Sequence, residues 1–568
     1  MKTRYLRVME ASLSAYSDPH IRRYFDEVKE KGLTEHGFPR LTSNIGILLS
    51  HGVRTDLVPV FREMMDFCCQ QIPRVKAAND FSVREMICCL SELEEAGLCP
   101  EDVNRWKREL SAIVPESCYN CYATTPDSSV RNWALFSAVS EYFRQDMGLC
   151  DSAEFIDLQL QVQLKWLDEN GMYCDHAGAY PHQPIMYDLV SRGLFALLLH
   201  KGYRGKHYKA IDDALRRAGM PTLAMQSVTG EMAFGGRSNQ FLHNEGWLAA
   251  VLEYEANRYK REGDLPRAAA FKSAALRALE TAEAWLSLTP IRHVKNRYPT
   301  ETRFGCEDYG YFDKYMITTA SNFYAACLIS DGSVPAETAP DPKASVFQTS
   351  DRFHKVFLKS GGYSLEFDLN ADPHYDANGL GRVHRAGAPS AICLSLPCPV
   401  SPSYTLDVAG EVPAERVPLS LCPAIRRGGN WLFGADPAVT CVAESMTEDG
   451  ESAGIVLRYT FPKADGFEEK TITARYTVSG DGVTITLNGN GVIAHALPAF
   501  CFDGEEYPVI TVKSHTLTVA YRGCLCRYTA STPIFDTGKN AANRNGRYRV
   551  FCAEAENTMT VHIHILQA

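Results

Sequence analysis

Residues 230–247 read GEMAFGGRSNQFLHNEGW. Arg237 follows two glycines, and Ser238, Asn239, Gln240, His243, Asn244 and Glu245 crowd the positions after it. An aliphatic run at helical spacing, LAAVLEYEA, comes next. A polar group buried without a partner is expensive, so this cluster requires internal satisfaction or a ligand. A helix starting near Ser238 sets Arg237, Gln240 and Asn244 along one stripe, with Asn239, His243 and Trp247 beside it. Free N–H groups and the helix dipole at that end favour an anion. The plain alternative is a cap with surface polar residues.

Three more junctions between loop and helix carry groups of the same kind. SSVRNWALFSAV puts Asn132 in the opening turn of a helix, as a ligand-facing amide or as a capping residue. WLDENGMYCDHAGAYPHQPIMYDLVSRG holds His176, Tyr180, His182, Tyr187, Asp188 and Arg192 in one irregular segment, kept extended by Pro181 and Pro184. Catalytic and binding groups concentrate on such loops. TRFGCEDYGYFDKYM carries Glu307, Asp308, Tyr309 and Tyr311: rings stack on the C–H face of a sugar while carboxylates accept its hydroxyl protons. A solvated acidic loop is the competing account. Farther on, HYDANGLGRVHRAGAPS (374–390) breaks a strand pattern with Arg382 and His384 and reads as a loop reaching back to the helical half.

These junctions need a scaffold, and the hydrophobic period supplies one. Over 1–330 apolar residues recur at three and four, as in VREMICCLSELEEAG and MYDLVSRGLFALLLHKGY. Many of these helices end in Gly or an Asn/Asp-Gly step. Roughly a dozen such segments without a strict repeat predict an α/α toroid, an incomplete or full six-hairpin barrel. A linker rich in Pro, Ala and acid follows at 331–345. Over 346–568 the period becomes two, as in EKTITARYTVSGDGVTITLNG, which predicts an antiparallel β-sandwich.

The totals narrow the function. A chain of 568 residues exceeds one ordinary core. Its 58 Lys+Arg against 68 Asp+Glu leave a net charge of -10, and it has no basic run, which excludes a nucleic-acid partner. No apolar stretch reaches membrane-spanning length. The N-terminus lacks an apolar h-region, and the 19 cysteines are odd in number and scattered. Both point to reduced thiols in the cytoplasm. CYNC (Cys118 to Cys121) has no second CxxC and no zinc-type His spacing, so no metal is expected.

A toroid followed by an antiparallel sandwich resembles the uronic-acid polysaccharide lyases, the heparinase II/III-like and chondroitin/hyaluronan lyase class. The motif order is similar too: NW at Asn132–Trp133, then NGMYCDH, then GGRS. The resemblance implies a catalytic Asn132, His176 and Tyr187 with Arg237 nearby, and Tyr180 rivals Tyr187 for the tyrosine role. β-Elimination removes the C5 proton of a uronate, which is barely acidic while the adjacent carboxylate is ionised. Asn132, His176 and Arg237 would neutralise that carboxylate; Tyr187 or His176 would serve as base, with Tyr187 also protonating the leaving oxygen. A tyrosine beside Arg192 or Arg237 is expected to have a lowered pKa. Asn239, His243, Asn244, His182, Asp308, Tyr311, Arg382 and His384 complete the expected sugar-binding set. The chemistry needs no cofactor. Folds of this kind also host β-glucuronidase-type glycoside hydrolases, whose carboxylate pair would here be Glu245 and Glu307, with Glu231 in reserve. A non-catalytic glycan binder fits poorly with so many ionisable groups. The expected partner is a uronic-acid-containing glycan, and a homo-oligomer is compatible with the sequence.

Overall fold

The computed structural model describes residues 1–176, 182–336, 343–413, 415–464 and 466–567. Tyr180 lies outside them. Helices α1 (Lys2–Leu13), α2 (Asp18–Lys31), α3 (Gly37–Ser50), α4 (Val58–Gln71) and α5 (Val83–Glu95) open the chain. They are followed by α6 (Pro100–Ser111), α7 (Pro115–Cys118), α8 (Asn132–Asp146) and α9 (Ala153–Gln163). The last five are α10 (Ile185–His200), α11 (Tyr208–Met225), α12 (His243–Arg261), α13 (Leu265–Leu286) and α14 (Phe312–Ile329).

Two kinds of helix alternate. α3, α5, α8, α10, α12 and α14 bury residues on every side, and a helix without a polar face belongs inside. Each packs on the next, and α14 returns to α3, so the inner helices close a full ring. The others pack outside them; α6, for example, buries only the stripe of Asp102, Val103, Trp106 and Leu110.

All six inner helices begin at the same rim, where their entrances touch in succession. His36 lies 4.9 Å from the Phe81 ring, and Phe81 lies 4.6 Å from Trp133. Asn132 bonds Asp175, and Tyr187 meets Ser238 at 3.3 Å. His243 stacks on Tyr315 at 4.6 Å, and Arg40 donates to Thr318 at 2.9 Å. The lumen is filled: Arg40 and Arg84 share the buried Glu85, and Trp247 presses on Gly193 so closely that a Cβ there would overlap the indole.

Strands β1 (Ser345–Gln348), β2 (Lys355–Ser360), β3 (Tyr363–Asp368) and β4 (Gly379–Arg385) form one antiparallel sheet. A second sheet of eleven strands runs from β5 (Pro423–Arg427) to β15 (Gly546–Gln567). It includes β8 (Ala453–Phe461), β9 (Lys470–Ser479), β10 (Gly482–Phe502) and β14 (Ile534–Asn543). In β9 buried and accessible residues alternate, as a half-buried strand requires. The small sheet packs on β8 and β9, sharing a core in which Phe367 meets Tyr476 at 5.1 Å. The result is an α/α toroid followed by an antiparallel sandwich.

One expectation changes. The middle of segment 374–390 is strand, not loop: β4 pairs Arg382 with Glu366 and His384 with Ser364. It does meet the toroid. His384 Nδ1 lies 2.7 Å from Ser227 Oγ, and Arg382 donates to the Met232 carbonyl at 2.8 Å. These polar residues serve a buried interface, which hides the strand's alternation. Among the described residues no helix is long and apolar enough to cross a membrane, and all 19 cysteines are free.

The tight α10–α12 seam has a measurable consequence. Gly193→Ala drives a methyl group into the Trp247 indole and is expected to cost about 1–3 kcal/mol, as overpacking does. A lower urea midpoint at unchanged m-value would register it.

Candidate functional site

Helix α12 starts at His243, not near Ser238. The residues before it cannot continue a helix backwards, because Gly236, Ser238 and Gln240 have φ of 73°, 59° and 66°. For Ser238 and Gln240 this left-handed backbone is strained. A Cβ on Gly236 would come within 2.9 Å of Pro184 Cβ. The expected helical stripes therefore do not exist. Much of the polar cluster is spent on holding this loop. Asn239 donates to the Ala233 carbonyl at 3.2 Å, Gln240 to Asn239 at 2.9 Å, and Asn244 to the Ser238 carbonyl at 3.0 Å. His243 is buried and stacks on Tyr315 at 4.6 Å, and burial pushes its pKa well down. Asn239 and Asn244 thus bond within the loop, and His243 packs into the rim.

Arg237 leaves the loop in the other direction. Its guanidinium donates to Asp175 Oδ2 at 3.0 Å and lies 4.4 Å from the Tyr187 ring centre. The other oxygen of Asp175 accepts from Asn132 Nδ2. The Tyr187 hydroxyl is 3.3 Å from Ser238 Oγ, which is itself 3.1 Å from the Tyr309 hydroxyl. His176 follows Asp175 directly and, with His182 and Arg237, lines a cleft. The opposite wall is His354, Lys355, Asp372 and Tyr375 of the β domain. Asn132, His176, Tyr187 and Arg237 come from three separate junctions: Asn132 and Arg237 share Asp175, His176 lines the cleft with Arg237, and Tyr187 lies against Arg237.

The electrostatics separate their protonation states. Burial, and then Arg237, hold His176 below the ordinary imidazole range, so the ring is neutral near pH 7. Burial raises Tyr187 above the usual phenol value although Arg237 pulls the other way. This reverses the expected lowering, because losing water outweighs one nearby cation. Arg192 does not assist: it is buried, forked onto Asp188, and bonded to Thr222 at 2.7 Å.

The carboxylates proposed for hydrolysis are engaged elsewhere. Glu245 is wholly buried, accepts from Lys295 Nζ at 2.5 Å, and shares that lysine with Glu231 at 3.7 Å. Glu307 is buried and gripped by both arms of Arg544, at 2.7 and 2.9 Å. Its Oε1 also accepts the Ser238 N–H at 2.6 Å. Arg382 pairs with Glu366 at 3.1 Å, and burial takes His384 down to about 3; both belong to the domain interface. Asp308 and Tyr311 are exposed, where Arg303 bonds the Asp308 carbonyl at 2.7 Å and covers the Tyr311 ring at 4.5 Å.

Several residues of the site went unread in the sequence. Asp175 sits beside His176 in CDH, and its adjacency was the available signal. Lys355, 3.0 Å from Asp368, opens an ordinary-looking strand. Arg544 lies in NRNG, which reads as a plain hairpin turn. Asp376, by contrast, belongs to the 374–390 segment that the sequence marked; it accepts the Gly236 N–H at 2.6 Å, and burial pushes its carboxyl up to about 7.

A structural role for Glu245 predicts a stability loss. Lys295→Met strands Glu245 and Glu231 without a counter-charge and is expected to cost about 3–5 kcal/mol, read by denaturant titration.

No family model matches the chain, and no curated protein matches it. Among solved structures, heparinase III is similar at 10% identity and a TM-score of 0.36, over 86% of this chain and 77% of that one. The Streptomyces coelicolor A3 chondroitin AC lyase in complex with chondroitin sulphate is 12% identical, with a TM-score of 0.42 over 98% of this chain and 82% of that one. The 4-alpha-glucanotransferase from Thermococcus litoralis is 9% identical, with a TM-score of 0.30 over 66% and 55%. At these identities the likeness is one of fold.

Proposed function

We propose that this protein cleaves uronic-acid-containing oligo- or polysaccharides by β-elimination. The observation that carries the reading is Arg237, which lines one cleft together with His176 and lies against the Tyr187 ring. Arg237, whose side chain is 35% exposed, is the cation available to a substrate carboxylate. Its charge disperses the negative charge that develops when the C5 proton leaves.

The two pKa directions choose between the roles left open by residue type. His176, held neutral, takes the C5 proton. Tyr187, held protonated, donates its hydroxyl proton to the glycosidic oxygen as the C4–O bond breaks and a C4=C5 double bond forms. Asn132 and Asp175 act behind Arg237: the amide steadies the carboxylate, and the carboxylate aims the guanidinium. The hydrolytic alternative built on Glu245 and Glu307 loses support, because both are buried in internal ion pairs.

The test is a panel of uronate oligosaccharides, with ultraviolet absorbance of the unsaturated product recorded beside released reducing ends. Both signals are expected to rise together; reducing ends alone would return the case to hydrolysis. Tyr187→Phe is expected to lower kcat by about 10²–10⁴-fold, the usual worth of a general acid. The pH profile has a defined sign. A base must be deprotonated, so a lowered His176 pKa keeps kcat/KM high below about pH 6.5, the free imidazole value. A raised Tyr187 pKa places the alkaline loss above about pH 10. An acid limb centred above pH 6.5 would remove His176 from the base role.

A further inference from the structure

The turn joining β14 to β15 is out of place for a hairpin tip. Such tips run over protein surfaces, yet Asn543, Arg544 and Asn545 are 0%, 1% and 5% exposed. They are pushed into the toroid rim, where the Asn296 side chain donates to the Arg544 carbonyl at 2.8 Å. Arg544 bonds Glu307 with both arms and the Gly305 carbonyl at 2.7 Å. The Tyr404 ring lies 4.0 Å from its guanidinium.

What the tip holds is the loop that presents Arg237. Glu307, fixed by Arg544, accepts the N–H of left-handed Ser238 at 2.6 Å. Asn545 donates to Gln240 Oε1 at 3.3 Å and to the Lys295 carbonyl at 2.7 Å. Gln240 is the loop's other strained non-glycine residue, and its carbonyl accepts from the Lys295 N–H at 3.0 Å. Both unfavourable backbone positions are therefore tied, one through a charge and one through an amide, to the same hairpin tip. Between them Ser238 Oγ touches the hydroxyls of Tyr187 and Tyr309.

We propose that Arg544 and Asn545 of the β domain are positioning residues for the catalytic hydroxyl of Tyr187, acting through Glu307, Ser238 and Gln240. The proposal rests on the β-elimination reading. Arg544 does not reach the reacting atoms; it sets where Ser238 stands, and Ser238 sets the Tyr187 hydroxyl. A lysine cannot reproduce the two parallel bonds to Glu307, so the geometry requires arginine.

The experiment uses the full chain and compares wild type with Arg544→Lys and Asn545→Ala, measuring kcat, KM and the thermal midpoint. Arg544→Lys is expected to lower kcat at least about tenfold while KM changes less than about threefold, the signature of an interaction lost only in the transition state. Asn545→Ala is expected to lower kcat by about threefold or more in the same pattern. It removes no charge, so it carries the test should Arg544→Lys fail to fold. A purely structural hairpin would lower the thermal midpoint and leave kcat and KM of the folded fraction unchanged. Wild-type kcat in both variants overturns the positioning role alone. Absence of unsaturated product from wild type on every uronate substrate overturns the β-elimination reading, and this proposal with it.

Discussion

Six helices with no solvent face must bury one another, and a closed ring lets each do so against two neighbours. Since inner and outer helices alternate along the chain, every inner helix runs in the same direction. That constraint gathers six helix entrances at one rim. Asn132 opens α8, Tyr187 lies in the first turn of α10, and Arg237 stands just before α12. They lie far apart in the chain and adjacent in space because the ring closes.

The rim is costly, and its design is economical in how charges are shared. Asp175 serves Asn132 and Arg237. Glu307 serves Arg544 and a backbone N–H, and Lys295 serves Glu245 and Glu231. Breaking any such pair leaves a charge in a dry site, which is far worse than never having placed it there. The left-handed residues of the 236–240 loop add strain, offset by the bonds from Asp376, Glu307 and Asn545. Two of those three come from the β domain, so the second domain completes the site as well as covering the toroid.

Neutral and charged roles in the cleft are set by water exclusion more than by pairs of neighbours. Tyr187 illustrates this. Arg237 lies against its ring, yet burial still raises its pKa. The same burial depresses His176, where Arg237 works in the same direction. One cation, Arg237, therefore has both a depressed imidazole and a raised phenol among its neighbours.

The two architectures are legible in the residue order alone, because hydrophobic period is a local property: three and four through the helices, two through the strands. The junctions are marked there as well, since polar and aromatic residues clustered before apolar helices are visible as text. Three matters were decided by tertiary structure. Whether a polar residue faces a ligand or a neighbour depends on partners that the fold brings up, which is why Glu245 and Arg382 read as site residues and are found bonded to Lys295 and to Met232. The start of α12 depends on left-handed φ angles imposed by contacts with Pro184, Glu307 and Asn545, none of them local. The direction of the Tyr187 shift depends on how much water the folded cleft excludes, and no arrangement of letters encodes a desolvation energy before the walls are assembled.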